Sequence, residues 1–175
     1  MANCRPNIPD FTDPQCVFES GRVVALAFIH KTLAATIYAN PSTASLWADG
    51  SYAADLHIFQ EVRGVYDGGS PIDVAGMGSQ GNRVINADRT LTVSIQGVKS
   101  NENFFNEMVK SHDYRVAFIT GGDYQVGFIN NRDISVFAGA PVEEGLESEM
   151  VWKCVIKWKD INNPKSFTPP TGIFN

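Results

Sequence analysis

The residues with chemical potential in this chain are few and scattered. Gly76-Met77-Gly78-Ser79-Gln80-Gly81 spells G-x-G-x-x-G, the spacing that lets a backbone approach a pyrophosphate at a helix start. Here the run leads through Asn82 and Arg83 into a sequence of β character, so the helix that would hold the phosphate is missing. A glycine loop at a strand end or a subunit contact is expected instead. Ser79 lacks the strand-to-helix elbow that exposes a nucleophile. His30, His57 and His112 fall on a strand end, a strand and a helix end, and none has a second histidine at ligand spacing on its own element. They are read as structural, and neither metal nor cofactor is expected.

Asp55 with Glu61, or Asp123 with Asp133, could face each other across strands as glycosidase carboxylates do, but nearly every β domain offers such pairs by chance. Cys4, Cys16 and Cys154 are odd in number and lack zinc-site pairing. Cys154 reads as a small buried hydrophobe, whereas Cys4 and Cys16 could bridge only in an oxidising setting. Lys153, Lys157 and Lys159 with Lys165 make a local basic face, which could touch phosphates but more simply guards a strand edge or meets an acidic neighbour. No catalytic constellation emerges, and the chain is not expected to be an enzyme.

The bulk properties narrow the class. At 175 residues, 43% of them hydrophobic and 19% charged, the chain suits one packed domain. Fourteen Lys plus Arg against nineteen Asp plus Glu give a net charge of −5, which disfavours a protein that clamps nucleic acid. The longest apolar run, residues 23–29, is far too short to span a bilayer, and no basic leader precedes it. No membrane partner is expected, and synthesis is assigned to the cytoplasm.

The elements follow from periodicity. Pro6, Pro9 and Pro14 give residues 1–20 the character of an extended arm. The run 23–29 predicts a strand covered on both faces, and residues 31–54 are ambiguous, with Trp47 in an apparent loop. A strand is expected over 55–66. In 89–96, Leu91, Val93 and Ile95 alternate with Thr90, Thr92, Ser94 and Gln96, so one face is dry and the other polar and uncharged. The one clear helix runs over 101–111, with Phe104, Phe105, Met108 and Val109 as its apolar stripe. Strands are then expected over 114–120, 123–129 and 133–138, followed by an acidic loop with Glu143, Glu144 and Glu147. The last strand, 148–160, buries Met150, Trp152, Cys154, Ile156 and Trp158, and the proline-rich tail 162–175 is expected not to pair internally. The reading is a mainly β protein, an antiparallel β-sandwich or barrel with one flanking α-helix. It comprises an arm (1–20), a single domain (21–161) and a tail (162–175).

The order of the 89–96 strand, a helix beginning Ser100-Asn101-Glu102-Asn103-Phe104-Phe105, the strand Tyr114-Arg115-Val116-Ala117-Phe118 and the closing 152–160 strand with its proline-rich tail resembles phage tail-tube proteins and the inner-tube proteins of contractile injection machines. The likeness spans residues 82–174 and is one of layout. It implies a virion structural protein whose rings, six subunits each, stack into a tube that conducts DNA without binding it specifically. It further implies homo-oligomeric contacts and contacts with other tail proteins. Thr90, Thr92, Ser94 and Gln96 would line the lumen, and Trp47, Pro6, Pro9, Phe11 and Phe167 would touch neighbouring subunits. A tail terminator or connector has a similar layout. The competing class is a carbohydrate- or receptor-binding module that uses Trp47, Tyr52 and Tyr66 as stacking platforms.

Overall fold

A computed structural model describes residues 21–48, 55–78, 81–97, 99–121, 126–129, 133–141 and 150–174. With 48% strand against 19% helix, the protein is mainly β: an antiparallel sheet curled into a half-barrel. The strands are β1 (Val23–His30), β2 (Leu56–Phe59), β3 (Arg63–Tyr66), β4 (Ser70–Val74), β5 (Arg83–Gln96), β6 (Tyr114–Thr120), β7 (Val126–Ile129), β8 (Ser135–Gly139), β9 (Val151–Lys159) and β10 (Lys165–Phe167). They form one sheet ordered β10-β7-β6-β1-β3-β5-β9-β8, with β2 added to β1 and β4 to β5.

β1 is buried along nearly its whole length, as its unbroken apolar run predicts. Val23, Leu26 and Phe28 enter the main core with Leu91, Val93 and Ile95 of β5 and Trp152, Cys154, Ile156 and Trp158 of β9. Ala25, Ala27 and Ile29 point the other way, into a smaller cluster. The alternations in β5 and β9 therefore fall as the sequence indicates.

The helix α3 (Glu102–Lys110) closes the main core through Phe105 and Met108, with Phe104 and Val109 half-buried. Phe105 stacks on Trp152 with centroids 4.5 Å apart. Asn101 occupies the N-cap position but makes no side-chain cap bond. Two further helices fill part of the ambiguous region, α1 (Lys31–Ala39) and α2 (Ala44–Ala48). Leu33, Ala34 and Ile37 give α1 a short apolar face at helical spacing, and it packs on the small side chains Ala25, Ala27 and Ala117. Beside the expected flanking helix, the described residues thus hold two further short α-helices, whose apolar stripe lies hidden among alanines and threonines.

The strand expected over 55–66 is broken. Glu61 adopts a positive φ of 58°, and the backbone N–H of Val62 donates to the Val24 carbonyl at 2.9 Å. Before the kink β2 pairs with β1, and after it β3 runs between β1 and β5, pairing with both. β3 lies so close to its neighbours that a Cβ on Gly64 would meet the Thr92 carbonyl oxygen at 2.9 Å and Val93 Cγ2 at 3.0 Å.

The tail also departs from expectation. β10 pairs with β7, placing Lys165 opposite Phe128 and Phe167 opposite Val126. The prolines flank these three residues rather than interrupt them, and an edge strand tolerates that arrangement. Pro169 and Pro170 are buried, and Phe167, Ile173 and Phe174 pack onto the smaller cluster.

Candidate functional surface

Side chains on β5 that turn away from the core share a surface with β3, β9 and β8, and register fixes its composition. Thr92 lies between Val65 and Val155, and Val155 lies beside Phe137. This row is apolar and open, with Val65 68% and Phe137 66% exposed. Ser94 lies between Arg63 and Lys153 in the next row, and Thr90 lies beside Lys157, which neighbours Ser135. Gln96 pairs with Val151 at the end of the strand.

The four residues expected to line a lumen therefore do share one outward face, but that face is not uncharged. β9 contributes Lys153 and Lys157, and β3 contributes Arg63. Lys165 stands apart from them on β10, its ammonium 4.8 Å above the Tyr38 ring, and β9 is an interior strand rather than an edge. Alternation within β5 shows which of its residues point outward. The cations and apolar groups beside them become visible only through cross-strand register. A cleft of about 610 Å³ opens here, lined by Arg22, Arg63, Gly64, Val65, Thr92 and Ser94.

A second feature is the ribbon formed by β4 and the first half of β5. Ser70 pairs with Asp88 and Val74 with Arg83, with an irregularity between Ile72 and Asp73. No residue of this ribbon belongs to either core cluster. It nevertheless displays Val74, Val84 and Ile85, and just beyond it Met77, 87% exposed. The glycine-rich run at 76–81 leads into β5, a strand, as its sequence context implies.

The inter-subunit candidates are distributed differently. Pro6, Pro9 and Phe11 lie outside the described residues. Trp47 is only 3% exposed. Its indole N–H donates to the Pro41 carbonyl at 2.7 Å, while its ring stacks on Phe167 at 6.3 Å and meets Phe174 edge-on at 5.0 Å. Trp47, expected in a loop, stands in α2 and is buried under the tail within its own chain, which leaves it no surface for the expected contact with a neighbouring subunit, whereas Phe167 stays partly exposed.

Tyr66 is likewise engaged, stacked on Trp158 at 5.7 Å, and Tyr52 lies outside the described residues. Burial pushes the Tyr66 phenol up, against the hydrogen bond from Arg89 that pulls it down. Arg89 sits on the core side of β5, where the alternation places an apolar residue, and it is 5% exposed. Its guanidinium donates to Tyr66 Oη, to Asn163 Oδ1 and to the carbonyls of Gly68, Asp160 and Ile161. A Cβ on Gly69, which has φ +92°, would meet Arg89 Cγ at 2.8 Å.

The histidines converge more than their sequence positions suggest. Pairing of β1 with β2 and β6 brings His30 within 5.5 Å and His57 within 6.1 Å of the Tyr114 ring, measured between centroids. His57 also meets Phe104 edge-on at 4.9 Å. A cleft of about 480 Å³ lies beside them, lined also by Asn103, Glu107, Met108 and Ser111. Burial, then the charges of Asp55 and Asp113, pushes the Tyr114 phenol up. Among the described residues no group of three His, Cys, Asp or Glu side chains is placed to hold a metal, and no helix is long and apolar enough to cross a membrane.

Compared with known proteins, the chain matches no family model, no curated protein and no solved structure.

Proposed function

We propose that this protein is a structural subunit of a virion tail, one that closes into rings, six subunits each, and stacks into a tube conducting DNA. The observation that carries this reading is the β4–β5 ribbon. The outer part of this ribbon extends beyond the core, which reaches only to Ala87 and Arg89, and a two-stranded extension is marginal in water, so exposed apolar side chains on it mark a contact surface. Val74, Met77, Val84 and Ile85 supply that surface, and a neighbouring subunit supplies its cover. Contacts of this head-to-tail kind close into rings or continue as filaments.

The outward row Thr90, Thr92, Ser94 and Gln96 is assigned to the channel wall, since it lies on the opposite side of the sheet from the packed core. The tail-tube resemblance supports the same assignment. The carbohydrate-binding alternative is weakened, because Trp47 and Tyr66 are engaged within the chain.

Negative-stain microscopy and mass photometry of the purified protein test the proposal: rings or tubes are expected at high concentration. A strictly monomeric protein, together with the absence of tubes from its parent particle, overturns it.

A further inference from the structure

The outward face of β3, β5, β9 and β8 gathers positive charge in a chain whose total is −5. Arg63 and Lys153 flank Ser94, and Lys157 lies beside Thr90. Strands lie about 4.8 Å apart and same-face side chains recur about every 6.8 Å, so these three cations frame a patch on the order of 10 by 14 Å. Among the described residues none of the three has an ion-pair partner. Two carboxylates border this face, Asp88, which lies 3.5 Å from Lys159, and Asp67 just beyond β3, whose Oδ1 accepts from the backbone N–H groups of Gly69 and Thr90. Between the cations runs the short, uncharged row Val65, Thr92, Val155 and Phe137.

We infer that this face holds the phosphate backbone of duplex DNA through charge alone, without reading its sequence. The inference rests on the tube reading for the identity of the polymer, and on the register of the three cations for the contact. Lysine presents a mobile point charge suited to a sliding phosphate, and each phosphate neutralised releases counterions. The net negative charge of the chain disfavours DNA elsewhere on it. One subunit binds weakly, and a ring that repeats the patch multiplies the contact without adding a new one.

The test is fluorescence anisotropy with a mixed-sequence DNA duplex across a salt series, with mass photometry of the same samples. Three phosphate contacts give a log–log salt slope of about −2.7 for each engaged subunit. The triple variant R63Q/K153Q/K157Q lowers affinity at low salt by roughly tenfold or more, with an unchanged circular dichroism spectrum. If that variant misfolds, K153E and K157E, each at an exposed side chain, serve separately. Absence of duplex binding at low salt, or equal binding by the charge variants, overturns the inference. So does polyglutamate binding as tightly as DNA, because the face would then suit an acidic protein. Charge-dependent DNA binding without rings supports this inference while counting against the tube, and rings that ignore DNA do the reverse.

Discussion

Arg89 donates through Nη1 to the hydroxyl of Tyr66, whose ring lies nearly parallel to that of Trp158, with 14° between the planes. The same guanidinium holds the carbonyls of Gly68, Asp160 and Ile161, so one side chain ties the turn after β3 to the segment after β9. Its removal strands several acceptors. Arg89→Met is expected to cost about 3 to 5 kcal/mol, and Tyr66→Phe about 1 to 2 kcal/mol, both read by denaturant unfolding. A wild-type midpoint for Arg89→Met would show that the hub contributes nothing.

Phe105 is the anchor of α3, buried and stacked on Trp152. Phe105→Ala is expected to destabilise by about 3 to 5 kcal/mol and Met108→Ala by about 2 to 5 kcal/mol. Phe104→Ala, at a half-buried position beside His57, should cost less than Phe105→Ala. Equal melting temperatures for the Phe104 and Phe105 variants would contradict this packing.

Cys154 is fully buried, and burial raises its thiol from 9.0 to about 12. The folded state therefore keeps a proton that the unfolded state releases. This contribution to stability is complete below about pH 9 and is lost as pH climbs from there toward 12. Unfolding curves from neutral to alkaline pH should steepen their decline above pH 9, and Cys154→Val should flatten that decline. With Cys4 and Cys16 replaced by serine, native Cys154 should also resist thiol reagents that label it fully once the chain is unfolded.

Assembly and folding should separate at the ribbon. Ile85→Asp, alone or with Val84→Asp, is expected to abolish higher-order species while shifting the melting temperature little, because neither side chain belongs to a core cluster. Light scattering alongside thermal melts checks this. Undiminished assembly by the double variant would direct attention to another surface.

Lysine at Thr92 and Ser94 should leave folding intact, since both side chains face away from the core. In a tube it should also slow DNA delivery, because new cations would join Lys153 and Lys157 on the same wall. Unchanged delivery by an assembled variant would remove this face from the channel.

Residues 89–96 and 151–159 were legible in the sequence because alternation over a long strand reports burial directly. The double-sided burial of β1 was equally plain, a continuous apolar run having no wet face to reveal. The break at Glu61 was not, because a positive φ in a glutamate leaves no compositional mark. Arg89 was hidden for a related reason: its burial depends on carbonyls contributed by turns distant in sequence. The cations flanking Ser94 and Thr90 belong to strands far from β5 in the chain, so only register could assemble that part of the candidate surface. The partners of Trp47 were obscured in the same way, since Phe167 and Phe174 lie far from it in the sequence.

The central position of β1 has a consequence in time. Val23 must await Thr120 before one edge of β1 is filled, and β5 must await Val151–Lys159, made long after β5 itself. Contacts of such wide sequence separation form slowly and leave unpaired edges exposed while they wait. The sticky β4–β5 segment is thus made well before β9, the strand that completes pairing along β5. A nascent chain should be most vulnerable to misassociation in that interval, and a ribosome-stalled chain ending before residue 151 should recruit chaperones that the folded protein does not.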